Sequence, residues 1–120
     1  MLKHVVFLTF KPDLSETAIE GIFNAVVSLQ HTISTIINIE KIDNITHEGL
    51  DQGFRYGFIL SFKNEAGRDA YLFHPDHVHV AEQIVFPALQ DGKNSIVVFD
   101  YIEATPSSLA TKQDTADISS

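Results

Sequence analysis

A phenol and two imidazoles crowd into the stretch Tyr71-Leu72-Phe73-His74-Pro75-Asp76-His77-Val78. Pro75 has no backbone N–H and a pre-set φ, so it suits the first turn of a helix and predicts one running on through Val78, Ala81 and Val85. His77 then falls in that first turn, where unsatisfied N–H groups and the positive end of the helix dipole disfavour a further positive charge. A neutral imidazole of this kind can accept a proton. Tyr71, six residues upstream and across the break at Pro75, can fold back as an acid or orienting partner. The chemistry implied is proton removal next to a carbonyl, with His77 as base and Tyr71 or His4 donating to the developing enolate. In the alternative reading the same residues only cap and pack the helix, and the protein is a non-catalytic, ligand-holding or stress-associated module.

His74, His77 and His79 lie within six residues and raise the question of a metal site. Positions 77 and 79 are about 200° apart around a helix, so they cannot face one ion, and no acidic residue at a ligand spacing completes the set. No metal and no cofactor is expected. The chain has no Gly-rich phosphate loop, no Gly-x-Ser-x-Gly elbow and no paired-carboxylate motif, which disfavours phosphoryl transfer, hydride transfer and serine hydrolysis. With no cysteine there is no disulfide, thiolate ligand or cysteine nucleophile.

The elements that must position these groups fit one domain of 120 residues with 44% apolar content. A net charge of −8, with the eight basic residues scattered, argues against binding nucleic acid or a membrane surface. No run of about 18 apolar residues is present and the start shows no cleavable-leader pattern, so a cytoplasmic protein is expected. Small molecules and a second protein chain remain as partners.

Lys3 to Phe10 reads as a strand with His4, Val6, Leu8 and Phe10 on one face and Val5, Phe7 and Thr9 on the other. Asp13-x-x-Glu16 suggests a capping box, followed by Ile19, Ile22, Phe23, Val26, Val27, Leu29 and Ile33 at helical spacing. Ile36 to Asn44 reads as a second strand, and Phe54, Tyr56, Phe58, Leu60 and Phe62 alternate as a third. Asn64 can cap a helix over Glu65 to Leu72, the next runs from Pro75 towards Phe86, and Ile96 to Tyr101 is the last strand. The order β-α-β-β-α-α-β predicts an α+β plait, a four-stranded antiparallel sheet with helices on one face. The uncovered face of apolar strands then calls for a sheet-to-sheet homodimer. Residues 1–103 form the domain, and the polar segment 104–120 is expected to be a flexible tail.

Across residues 2 to 101 the sequence resembles the stress-responsive A/B barrel, or Dabb, family. The resemblance is carried by Lys3-His4-x-Val-x-x-x-Phe10-Lys11, by Asn44-x-x-x-Glu48-Gly49-Leu50 ending at Gly53-Phe54, and by Phe62-Lys63. Tyr71-Leu72-x-His74-Pro75-x-His77 and Phe99-Asp100-Tyr101 complete it. It implies a ferredoxin-like protomer and a dimeric α+β barrel. Some members of the family are plant cyclases of linear polyketides that act without a cofactor, and others are stress-associated proteins of unknown biochemistry. The cyclases imply His77 as base, Tyr71 as its assistant and His4 facing the same pocket. Several relatives carry a histidine where Tyr56 stands. The expected site is therefore His77, Tyr71 and His4 for chemistry, with Tyr56, Leu8 and Phe58 contacting the ligand.

Overall fold

The computed structural model of the chain describes residues 1–104. The expected tail, 104–120, lies outside the described residues except for Ala104. Four strands, β1 (Leu2–Leu8), β2 (Asn38–Asp43), β3 (Tyr56–Phe62) and β4 (Ile96–Ile102), form one antiparallel sheet in the order β2-β3-β1-β4. Three α-helices, α1 (Glu16–Ser28), α2 (Glu65–Leu72) and α3 (Pro75–Val80), contribute the cover of one sheet face. This is the α+β plait that the alternation of elements predicts. Among the described residues no helix is long and apolar enough to cross a membrane.

The pleat sorts the strands into two faces. Leu2, Val6, Leu8, Phe58, Leu60 and Phe62 turn to the helices and are buried with Ile19, Ile22, Phe23 and Val26 of α1. On the opposite face Phe99 and Tyr101 of β4 remain 58% and 49% exposed. Gly57 on that face is required by a close approach. A Cβ there would stand 2.5 Å from the Val6 carbonyl oxygen and 2.8 Å from the Phe7 ring.

Local signals set the helix starts, with two departures from expectation. α1 is capped by Ser15, whose hydroxyl accepts from the Ala18 N–H at 3.1 Å, and not by Asp13, which lies one residue too far out in the turn. Asn64 caps α2 as expected, accepting from the Gly67 N–H at 3.0 Å. The helix from Pro75 does not run on regularly to Phe86. It changes at Ala81 into a π-helical stretch, Ala81–Val85, and then a 3₁₀ turn, Phe86–Ala88, where Pro87 has no N–H to continue the ladder.

Candidate functional site: a cavity between the sheet and the third helix

The junction of α2 and α3 places the phenol and the imidazole that the sequence singles out. His74 is the N-cap of α3: its Nδ1 accepts from the Asp76 N–H at 3.0 Å, and Pro75 follows as the first helical residue. A ring nitrogen that accepts a backbone N–H is unprotonated, so the nearby Asp76 carboxylate, 3.9 Å away, is not an ion-pair partner in this geometry. His74 is thus a structural histidine. His79 is exposed, and among the described residues no group of three His, Asp or Glu side chains could hold a metal ion.

His77, in the first turn of α3, donates from Nδ1 to the Leu72 carbonyl oxygen at 3.0 Å. That bond fixes the tautomer of the neutral ring and leaves Nε2 with a free lone pair. Burial is the first cause lowering the proton affinity of His77, with the charges of His4 and His74 adding to it, while the bond to Leu72 works the other way. The neutral imidazole expected from the helix dipole is therefore favoured chiefly by desolvation. Tyr71 on α2 is 3% exposed, and its ring centroid lies 4.2 Å from that of His77 and 5.4 Å from that of Phe62. Burial pushes the phenol well above its ordinary range, so Tyr71 stays protonated and serves as a donor, not as a base.

The third candidate reaches the same place from the sheet. His4 on β1 is 5% exposed, its ring 5.8 Å from that of Tyr71. Its Nδ1 lies 2.6 Å from Oδ1 of Asp100, the residue directly opposite on β4. The other carboxylate oxygen, Oδ2, accepts from Nη1 of Arg68 at 3.0 Å. Asp100 and Arg68 were not singled out in the sequence. The only signal for Asp100 is that it lies on a strand, and its partner stands 96 residues away.

Between these groups lies a cavity of about 450 Å³, within the size range of small-molecule sites. His4, Tyr71 and His77 all line it, together with Phe58 and mainly aliphatic side chains including Val6, Val26, Val80 and Val85. Its exposed lining residues Val78, Phe86 and Val98 mark where it meets solvent, between α3 with its continuation and the edge strand β4. No buried side-chain nitrogen or oxygen among the described residues lacks a partner. The Tyr71 hydroxyl has no protein partner there and so must keep an opening to this space.

Two expected ligand contacts are placed elsewhere. Leu8, 1% exposed, is sealed in the core and does not line the cavity. Tyr56 packs on Phe10 and Phe23, with centroids 5.5 and 6.3 Å away, at the other end of the helical layer. Both share the His4 face of the sheet, but β1 and β3 are antiparallel, which pairs Leu8 with Tyr56 at the strand ends remote from His4. Of the three expected contacts, only Phe58 reaches the cavity.

The chain is 33% identical over 100 residues to a stress-response A/B barrel domain-containing protein of Arabidopsis thaliana, covering 82% of this chain and 83% of that one. It is 23% identical over 100 residues to olivetolic acid cyclase of Cannabis sativa, covering 83% and 94%. Among solved structures, a dimeric ferredoxin-like protein of unknown function from Jannaschia sp. CCS1 superposes with a TM-score of 0.69 at 25% identity, covering 85% of this chain and 98% of that one. The hydroxynitrile lyase of Passiflora edulis shares the fold, with a TM-score of 0.75 at 24% identity over 87% and 94%. The model of the stress responsive A/B barrel domain matches residues 2–103. The chain therefore belongs to the stress-responsive A/B barrel (Dabb) family, with a ferredoxin-like α+β fold.

Proposed function

We propose that the cavity binds a small, largely apolar carbonyl compound and that His77 removes a proton from the carbon next to the carbonyl while Tyr71 donates to the oxygen. The observation that carries this reading is the contact of Tyr71 and His77, 4.2 Å between ring centroids, on one cavity, with the Nδ1 of His77 engaged and its Nε2 free. The base is neutral because it is buried and the donor is protonated for the same reason, which is how one site holds an acid and a base together. Aliphatic walls select an apolar body, and few polar groups remain to orient it. Proton transfer of this kind needs no group beyond the protein's own. Likeness to a cyclase and a lyase supports the same class of chemistry.

We also take the protein to be a homodimer joined through the open sheet face, where Phe99 and Tyr101 are exposed and where a relative of the same fold is dimeric. Sedimentation at micromolar concentration should give twice the protomer mass, and a monomer there would sink this assembly.

The test of the chemistry is exchange of hydrogen for deuterium at the α-carbon of phenylacetone and related aryl and alkyl ketones in D₂O, followed by proton NMR. The protein should accelerate exchange, and His77→Ala should abolish most of the acceleration. Ketones that bind without exchanging would establish the ligand-holding module instead, a reading favoured by the burial of Tyr71 against Phe62.

A further inference from the structure

We propose that Arg68 is a positioning residue: through Asp100 it fixes the His4 imidazole so that His4 and His77 act as an acid–base pair on one bound carbonyl compound. This deepens the reading above, which needs only His77 and Tyr71.

The β1–β4 register sets His4 against Asp100, and the 2.6 Å contact engages Nδ1. A carboxylate only accepts, so Nδ1 carries a hydrogen and Nε2 is left to meet a ligand. Nε2 has no protein partner, and since no buried side-chain nitrogen among the described residues is unpartnered, it must open on the cavity that His4 lines. The groups facing His4 are Asp100 from β4, Tyr71 from α2 and, beyond Tyr71, His77 from α3; its partner on β3 is the apolar Leu60.

Asp100 stands on an edge strand with its side chain 29% exposed, free on that side to turn to water. Arg68 prevents this. It lies three residues before Tyr71 and so on the same face of α2, and its planar fork spans two carboxylates. Nη1 holds Oδ2 of Asp100 at 3.0 Å, while Nη2 and Nε hold Oδ1 of Asp69 at 3.0 and 3.2 Å. One helix thus supplies both the ring that touches His4 and the cation that steadies its carboxylate.

In the step itself the C–H bond breaks, its proton goes to Nε2 of His77 and its electron pair forms the enol double bond. The carbonyl π pair moves to oxygen, which takes a proton from Nε2 of a protonated His4. His77 ends as the cation and His4 as the neutral ring, its Nδ1–H still held by Asp100. Charge and protons balance, and the reverse steps restore the protein.

Ring nitrogen and proton NMR of the ¹⁵N-labelled full chain tests the positioning without a ligand. His4 should show a protected Nδ1–H resonance that is lost in Asp100→Asn and in Arg68→Gln and regained in Arg68→Lys. Persistence of that resonance in Arg68→Gln would overturn the proposal, as would its absence from the unaltered protein. In phenylacetone exchange, Arg68→Gln should slow the reaction about tenfold, with recovery in Arg68→Lys, within the range of an assisting proton donor. Equal rates with Arg68→Gln would also overturn it. Melting curves of each variant separate misfolding from mispositioning. If the unaltered protein exchanges no ketone, the proton-transfer function fails, while the His4 resonance still decides whether Arg68 positions that ring.

Discussion

The two ends of the helical layer use the same side-chain types to opposite effect. Near the β1–β3 end that carries Leu8 and Tyr56, the rings of Phe10, Phe23 and Tyr56 close on one another at 5.5 to 6.3 Å, Lys41 lies 4.9 Å over the Phe23 ring, and the space is filled. At the other end His4, Tyr71 and His77 also touch, yet they line about 450 Å³ of open volume. The difference lies in what stands across from the rings. At the first end α1 brings the large Phe23, while at the second α1 brings Val26 and the third helix brings Val80 and Val85. A cavity appears where aromatic groups face aliphatic ones too short to meet them, so ring content alone does not mark a site.

Truncation should expose this contrast most sharply at the filled end. Phe23→Ala removes a ring that is 4% exposed and should cost about 3–5 kcal/mol in urea unfolding, the range for a buried phenylalanine. A loss under about 1 kcal/mol would mean that this end is loosely packed. At the open end His77→Ala should cut ketone exchange by about a hundredfold while barely changing the urea midpoint. Equal damage to stability from both variants would erase the distinction between the two ends.

Filling the open end offers the converse. Val26→Phe places a ring where the cavity is, and should block ketone binding while changing stability by less than about 1.5 kcal/mol, because volume is available to accept it. Destabilisation well beyond that would show the cavity to be too narrow to use. The smallest effect concerns pH. His77 has its proton affinity lowered in the folded state, so the unfolded chain binds the extra proton more readily. The melting temperature should therefore drop as pH falls below about 6.5, and His77→Gln should lose part of that drop. Identical pH profiles for the two proteins would show that burial of this imidazole has no energetic weight.

How much of this could be read from the sequence depends on distance along the chain. Tyr71 and His77 were legible because one proline fixes their relation locally, and Asn64 marks the helix that carries Tyr71. The alternation of Tyr56, Phe58, Leu60 and Phe62 correctly gave a shared face. It could not tell that Phe58 reaches the cavity while Tyr56 does not, since that depends on which helix covers which end of the strand. Asp100 stayed unremarked because its meaning arises only from the pairing of the first and last strands. Ser15 displaced Asp13 as the cap because both residue types cap equally well and the turn geometry chooses between them. The change of helical winding after Val80 has no local composition signal beyond Pro87 at its end.

That change of winding has a further consequence. A π-helical stretch is an α-helix with one residue too many for its turn. In Ala81–Val85 the surplus residue is accommodated without disturbing what lies on either side, and Val85 still ends up buried against the core at 6% exposure. Deleting a single residue from this stretch would let the ordinary repeat re-form and rotate everything downstream by about 100°, carrying Val85 off its seat and swinging Phe86 across the rim. The wall of the cavity is therefore tolerant of substitution but intolerant of any change in length.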